Sequence, residues 1–150
     1  MTPIKSFKQT WGDDFFTSRG FTMVPNAVLE FAAKLHLHSK HIAVITAALY
    51  WKWDSRRPYP SIDSLAAAAG CSNRTVQRAL DDLEHRNLVK VLPGCDKNGG
   101  QTSNLIDFTP LREAINGLSR VDLPAWAHEY TDPRQASLPL ETESDESYRW

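Results

Sequence analysis

Cysteine is scarce in this sequence: Cys71 and Cys95 are the two examples in 150 residues. They lack both the paired spacing of a metal site and the number needed for a disulfide framework, so they read as incidental thiols of a reducing compartment. Long apolar runs are missing too. No stretch approaches the roughly 18 to 20 residues of a membrane span, and the opening MTPIKSFKQTW lacks the apolar centre of a signal peptide. A cytoplasmic protein with no membrane partner is the expectation. There is no glycine-rich loop ending in Lys-Ser/Thr and no glycine-flanked serine of a nucleophile elbow. His36, His38 and His41 straddle an expected helix break, without ligand-spaced cysteines or carboxylates beside them. No catalytic site, no metal and no cofactor are therefore expected.

A strong net charge is also lacking, because the formal sum is -1, but the distribution is uneven. Residues 1–53 carry six lysines and arginines against three acids, residues 54–109 seven against seven, and residues 110–150 four against eight. An acidic end on a neutral-to-basic chain fits a surface that meets a polyanion while the tail stays clear of it. A solvated tail that only aids solubility is the plainer reading of the same residues.

With 41% hydrophobic residues the chain has enough apolar material for one principal core. Residues 1–20 mix aromatics with charges at no sustained period and read as an irregular arm. The run VPNAVLEFAAKL predicts a short helix, with Pro25 where a first turn tolerates it. Ser39 is the expected cap of a second, SKHIAVITAALYWKW, with Ile42, Ile45, Leu49 and Trp53 at helical spacing. Trp51 and Trp53 read as core or interface anchors. Pro58 ends this segment. Ser61 opens a third helix that runs through Leu65 and four alanines to Gly70, whose permissive backbone allows a sharp turn. Small side chains here favour close helix packing. Ser72 then caps a helix to about Arg86, with Val76, Ala79, Leu80 and Leu83 as its buried stripe.

That stripe leaves Asn73, Arg74, Gln77 and Arg78 facing outward at the start of the helix. A helix N-terminus carries unsatisfied N–H groups and favours phosphate, while Arg, Asn and Gln side chains match base edges in paired donors and acceptors. A solvated polar face explains any single arginine equally well. The arrangement favours the first reading: capped helix, tight glycine turn, capped helix, then a hairpin. Strands are expected over 87–92 and 104–108, with a long breaker-rich turn from Pro93 to Gly100. Around this turn Lys97, Asn98, Gln101, Thr102 and Ser103 are placed to touch phosphate or enter a minor groove, Lys97 foremost by charge. An ordinary exposed hairpin is the alternative.

Residues 21–109 resemble the winged helix-turn-helix domains of plasmid and phage replication proteins and of mobile-element regulators. The resemblance rests on FTMVPN at Phe21 to Asn26, Tyr59-Pro60-Ser61, Leu65-Ala66, Gly70-Cys71-Ser72-Asn73-Arg74-Thr75-Val76, Leu83, Gly99-Gly100 and Ser103-Asn104. The central part is also similar to GntR-type DNA-binding domains. Asn87 stands where a glycine is common, a substitution that asparagine's tolerance of left-handed backbone makes inexpensive. Leu105-Ile106 replaces an aromatic-bearing pattern. The resemblance implies a mainly α fold with a small β-hairpin wing. It also implies that Asn73, Arg74, Gln77 and Arg78 enter a major groove, that Ser72 and Thr75 hold the helix end or bind phosphate, and that Ser61 bonds phosphate. Arg56 and Arg57, just before Ser61, are candidate backbone clamps.

The expected organisation is an arm over 1–20, the winged domain over 21–109, a C-terminal helix over 110–121 and an acidic, disordered tail over 122–150. The expected function is sequence-specific binding of double-stranded DNA by a transcriptional regulator, a repressor from a mobile element or phage-like region. It would act as a homodimer, with the tail available to a protein partner. Replication initiation or plasmid maintenance with helicase recruitment is the alternative. A winged-helix protein-interaction module without DNA binding is a third, favoured by Asp81, Asp82 and Glu84 beside the basic residues.

Overall fold

The computed structural model describes residues 19–51, 60–95 and 97–128. Element order is α1 (Asn26–Glu30), α2 (Ser39–Tyr50), α3 (Ile62–Ala69), α4 (Asn73–His85), β1 (Lys90–Cys95), β2 (Gln101–Asp107) and α5 (Thr109–Asn116). A 3-10 turn (Arg120–Asp122) and a single helical turn α6 (Ala125–His128) follow. Helices α2, α3 and α4 pack on one another, and the hairpin β1-β2 leans on α4. Among the described residues, no helix is long and apolar enough to cross a membrane.

The core is built from the stripes that the helical period marks out. Val76, Ala79, Leu80 and Leu83 of α4 are buried, as are Val44, Ile45, Ala48 and Leu49 of α2. Each large aliphatic side chain so buried contributes about 1.5 to 3 kcal/mol. The alanine row of α3 is less uniform than expected. Leu65 and Ala66 face the core and Ala69 half does, but Ala67 and Ala68 face solvent. A helix exposed on one side buries only the residues that recur every three or four positions, so the row as a whole does not act as a packing surface.

Two helices and the turns after α1 end by one device. Leu37 N–H bonds to Ala32 C=O at 2.7 Å, Cys71 N–H to Ala66 C=O at 3.1 Å and Leu88 N–H to Leu83 C=O at 2.9 Å. The residue before each donor has a left-handed backbone: His36 at φ +51, Gly70 at +67 and Asn87 at +55. This closing geometry places an apolar residue just past the helix end, and Leu37, Cys71 and Leu88 all pack on the core. A side chain at Gly70 would meet open space, so its backbone conformation, not crowding, favours glycine there. The first segment also corrects an expectation. The leading helix stops at Glu30 rather than Leu35, and residues 31–36 continue as turns that reverse at His36.

The hairpin differs from its expected outline as well. Residues 87–89 lie outside the first strand, and both strands run further towards the tip, to Cys95 and from Gln101. Register pairs Leu92 with Leu105 and Gly94 with Thr102. Pro93 thus stands opposite both Ser103 and Asn104, a bulge where a residue without an N–H is tolerated. At the hairpin's end the buried Asp107 accepts hydrogen bonds from the Thr109 backbone N–H at 3.0 Å and hydroxyl at 2.7 Å, which starts α5.

The C-terminal helix ends at Asn116, not at residue 121. Asp122 then accepts from Ser119 N–H at 2.9 Å and pairs with Lys34 at 3.3 Å, and Ala127 is buried. Within residues 122–128, expected to begin the tail, Asp122 is instead tied to the turns after α1 by that ion pair, and Ala127 is buried. The arm's residues 1–18, Trp53, Arg56, Arg57 and the tail beyond residue 128 lie outside the described residues.

Candidate nucleic-acid interface

Helix α4 begins where Ser72, in extended conformation, accepts the Thr75 N–H through its hydroxyl at 3.1 Å. Its hydroxyl also lies 3.0 Å from Thr75 Oγ1. Ser61 does the same for α3, accepting Ser64 N–H at 3.1 Å and donating to Ser64 Oγ at 2.9 Å. Both serines therefore hold helix ends, a contribution of about 1 kcal/mol each. Of the two roles expected for Ser72 and Thr75, the structure shows the first. For Ser61 it likewise shows the cap of α3.

Asn73, Arg74, Gln77 and Arg78 are all exposed. With 3.6 residues per turn, Arg74 and Arg78 lie on one row opposite the buried stripe, and Asn73 and Gln77 on the neighbouring row towards the wing. Among the described residues, no hydrogen bond or ion pair engages either arginine. The amides are engaged: Asn73 Nδ2 donates to Asp63 Oδ1 across to α3, and Gln77 Nε2 to Asp81 Oδ1 at 2.8 Å within α4. Lys97 and Asn98 stand exposed at the tip of the hairpin. Gln101 and Thr102 open β2, and for these two the description extends to the backbone alone.

On the other side of α4 lies a cluster that sequence reasoning missed. His41, fully buried in α2, meets Asp82 through Nε2···Oδ2 at 2.6 Å. His41 Nδ1 accepts the backbone N–H of His38 at 2.9 Å, so the ring proton sits on Nε2 and is donated to Asp82. That bond also corrects the expected cap: His38, not Ser39, occupies the cap position, and its N–H is satisfied from inside the helix by His41. Arg86 donates to Asp82 Oδ2 at 3.1 Å, to Leu35 C=O at 2.7 Å and to His36 C=O at 3.1 Å. Burial lowers the His41 pKa below its ordinary value of 6.5, against the raising effect of the Asp82 hydrogen bond. The His41 hydrogen bond lowers that of Asp82, with Arg86 adding to it. Asp82 is thus part of the scaffold rather than of an acidic outer face. The spacing of Asp82 and Arg86, one turn apart, was the available signal; His41 gave none.

A second acid is also committed to structure. Glu84 Oε1 accepts Val91 N–H at 3.2 Å, tying α4 to the first strand of the hairpin. Gln77, Asp81, Glu84, Val91 and Asn104 border a shallow groove between α4 and the hairpin, floored by Leu65, Leu80 and Ile106.

Three mutually packed helices, the second and third joined by a tight turn, followed by an antiparallel hairpin, define a winged helix-turn-helix domain. A family model described as a helix-turn-helix domain matches residues 42–89, from the first turns of α2 to the residue before β1. Among solved structures, the chain is similar to a transcriptional regulator of the MarR family from Silicibacter pomeroyi. The two share 21% identity at a TM-score of 0.40, over 60% of this chain and 54% of that one. The chain therefore spans about half the length of that regulator. No curated protein matches it.

Proposed function

We propose that the protein binds double-stranded DNA sequence-specifically and regulates transcription, entering a major groove with the first turns of α4 and touching flanking backbone with the hairpin. The observation that carries this reading is the pair Arg74 and Arg78: two exposed guanidinium groups one turn apart, unpaired among the described residues, on a helix whose back is buried. Arginine presents a rigid fork of donors that matches the O6/N7 edge of guanine. Lys97 at the hairpin tip supplies a charge for phosphate, and the first turns of α3 and α4 offer N–H groups to the same backbone.

In this reading the protein is a repressor of a mobile element or phage-like region that acts by occupying a promoter, and it is not an enzyme. The resemblance of residues 21–109 to regulators and replication proteins of such elements supports the setting. Homodimerisation fits the small footprint of one such domain, and the exposed Phe21, Met23, Val121 and Trp126 supply apolar surface for it.

The test is a binding selection from random duplex DNA with the full chain, followed by titration of the winning and scrambled duplexes at two salt concentrations. The expected result is a defined motif, a steep salt slope and, for a dimer, two-fold symmetry in the motif. Weak binding, equal for both duplexes, overturns the proposal and turns attention to a protein partner.

A further inference from the structure

Of the four outward side chains at the start of α4, the two amides each donate to a carboxylate. Asn73 Nδ2 bonds to Asp63 of the preceding helix, and Gln77 Nε2 bonds to Asp81 one turn further along α4 at 2.8 Å. An ionised carboxylate only accepts, so it must face the amide nitrogen and never the amide oxygen. The partner therefore decides which way each amide points. The nitrogen turns back towards the carboxylate, and the carbonyl oxygen, with the one remaining N–H beside it, is left to face a ligand. Both residues are exposed and lie one turn apart on a single row.

The consequence for recognition follows from the donors and acceptors of base edges. Guanine presents two acceptors in the major groove and thymine presents an acceptor and a methyl, so each sets an oxygen against the amide oxygen. Adenine presents an amino donor beside the N7 acceptor, which complements a carbonyl oxygen beside one N–H; cytosine offers the amino donor alone. We infer that Asp63 and Asp81 are positioning residues that fix the Asn73 and Gln77 amides for adenine, so that α4 reads adenines on one row and guanines, through Arg74 and Arg78, on the next. The inference rests on the DNA-reading function proposed above and specifies its base preference. The two carboxylates carry a side effect that identifies them: negative charges beside a DNA-facing surface weaken binding to every sequence while sharpening the choice among sequences.

The experiment uses the full-length protein and the duplex recovered by selection. Selection repeated with Gln77→Ala identifies the base that Gln77 contacts, as the position where preference disappears. Competition between that duplex and one altered only at that base then measures the preference in four proteins: the unaltered chain, Asp81→Ala, Gln77→Ala and the double variant. A preference of about tenfold for adenine is expected in the unaltered chain. It should fall in Asp81→Ala to the level of Gln77→Ala, with no further loss in the double variant, while affinity for scrambled DNA rises. Asp81→Glu keeps an acceptor-only carboxylate for the Gln77 amide and should retain most of the preference, whereas Asp81→Asn, which can donate as well as accept, should not. The parallel comparison of Asp63→Ala with Asn73→Ala should behave alike at a second position, and melting curves confirm that each variant is folded.

A folded Asp81→Ala that keeps the full preference overturns the inference while leaving DNA reading intact. So does a double variant that loses more than Gln77→Ala, an Asp81→Asn that keeps the full preference, or a guanine or thymine at the mapped position. An unaltered chain with no sequence preference overturns the proposed function itself, and with it this refinement.

Discussion

Two neighbouring pairs on α4 share the same spacing and have opposite surroundings. Gln77 and Asp81 are one turn apart on the exposed side, and Asp82 and Arg86 are one turn apart on the side that faces α2. In isolation, each such pair contributes only a few tenths of a kcal/mol, roughly 0.2 to 0.5, to a helix. Tertiary surroundings separate them. The second pair is extended by buried His41 and by the carbonyls of Leu35 and His36, so it fastens α4 to the segment before it. The first pair remains at the surface, where it orients a side chain and fastens nothing beyond its own helix. An acid–polar pair on a helix therefore takes its role from what lies across from it.

Breaking the fastening on the buried side should have the largest effect. Leu83→Ala removes a fully buried side chain from the back of α4 and should cost about 2 to 5 kcal/mol in chemical denaturation, with DNA affinity lost together with the fold. His41→Ala comes next: it opens a cavity and deprives the His38 N–H and Asp82 of their partner, at a cost of about 2 to 3 kcal/mol.

The same histidine makes a pH prediction with a definite sign. Its folded pKa lies below the ordinary 6.5, so unfolding takes up a proton in that range. Its contribution to stability should be present above pH 6.5 and lost as pH falls through the lowered folded value. Asp82, also lowered, should lose its own contribution only further down, below its ordinary 3.8. Melting temperature against pH should show the upper step in the unaltered protein and lack it in His41→Phe. A step in the opposite direction would mean that His41 is charged in the fold.

On the exposed side the comparison reverses. Arg74→Ala or Arg78→Ala should cost about 1 to 3 kcal/mol of discrimination between specific and altered duplexes, yet leave stability within about 0.5 kcal/mol. Unfolding by either substitution would show that the outward row supports the core. The smallest effect belongs to the hairpin tip. Lys97→Ala should weaken all duplexes alike and reduce the salt slope by about one, visible in titrations at several salt concentrations.

Much of the frame was legible because its signals are local. Ser61 and Ser72 mark helix starts, Gly70 marks the turn, and the period of Val76, Ala79, Leu80 and Leu83 marks the buried face; each depends on residues within a turn or two. Asn87 was legible for the same reason, as a residue type that tolerates the left-handed backbone it adopts. His36 takes the identical role in the turns after α1 and was not legible, because the apolar pattern there did not show where the helix stops. The strand ends near the tip and the anchoring of residues 122–128 were misjudged, since Pro93 reads as a breaker until its place opposite a bulge is known, and Lys34 and Asp122 are far apart in sequence.

For the candidate interface the division is similar. Composition and periodicity pointed to Asn73, Arg74, Gln77 and Arg78 as an outward set, and all four are exposed. They did not reveal that Asp63 and Asp81 hold the amides, nor that Asp82 is bonded to the buried His41. By itself the sequence determined where α3 and α4 start and stop, which faces are apolar and which residues stand opposite them, because these depend on backbone preference and a fixed period. Tertiary structure alone decided which acids turn to partners beyond their own helix, Asp63 to Asn73 and Asp82 to His41, because those donors are brought within hydrogen-bond reach from other helices.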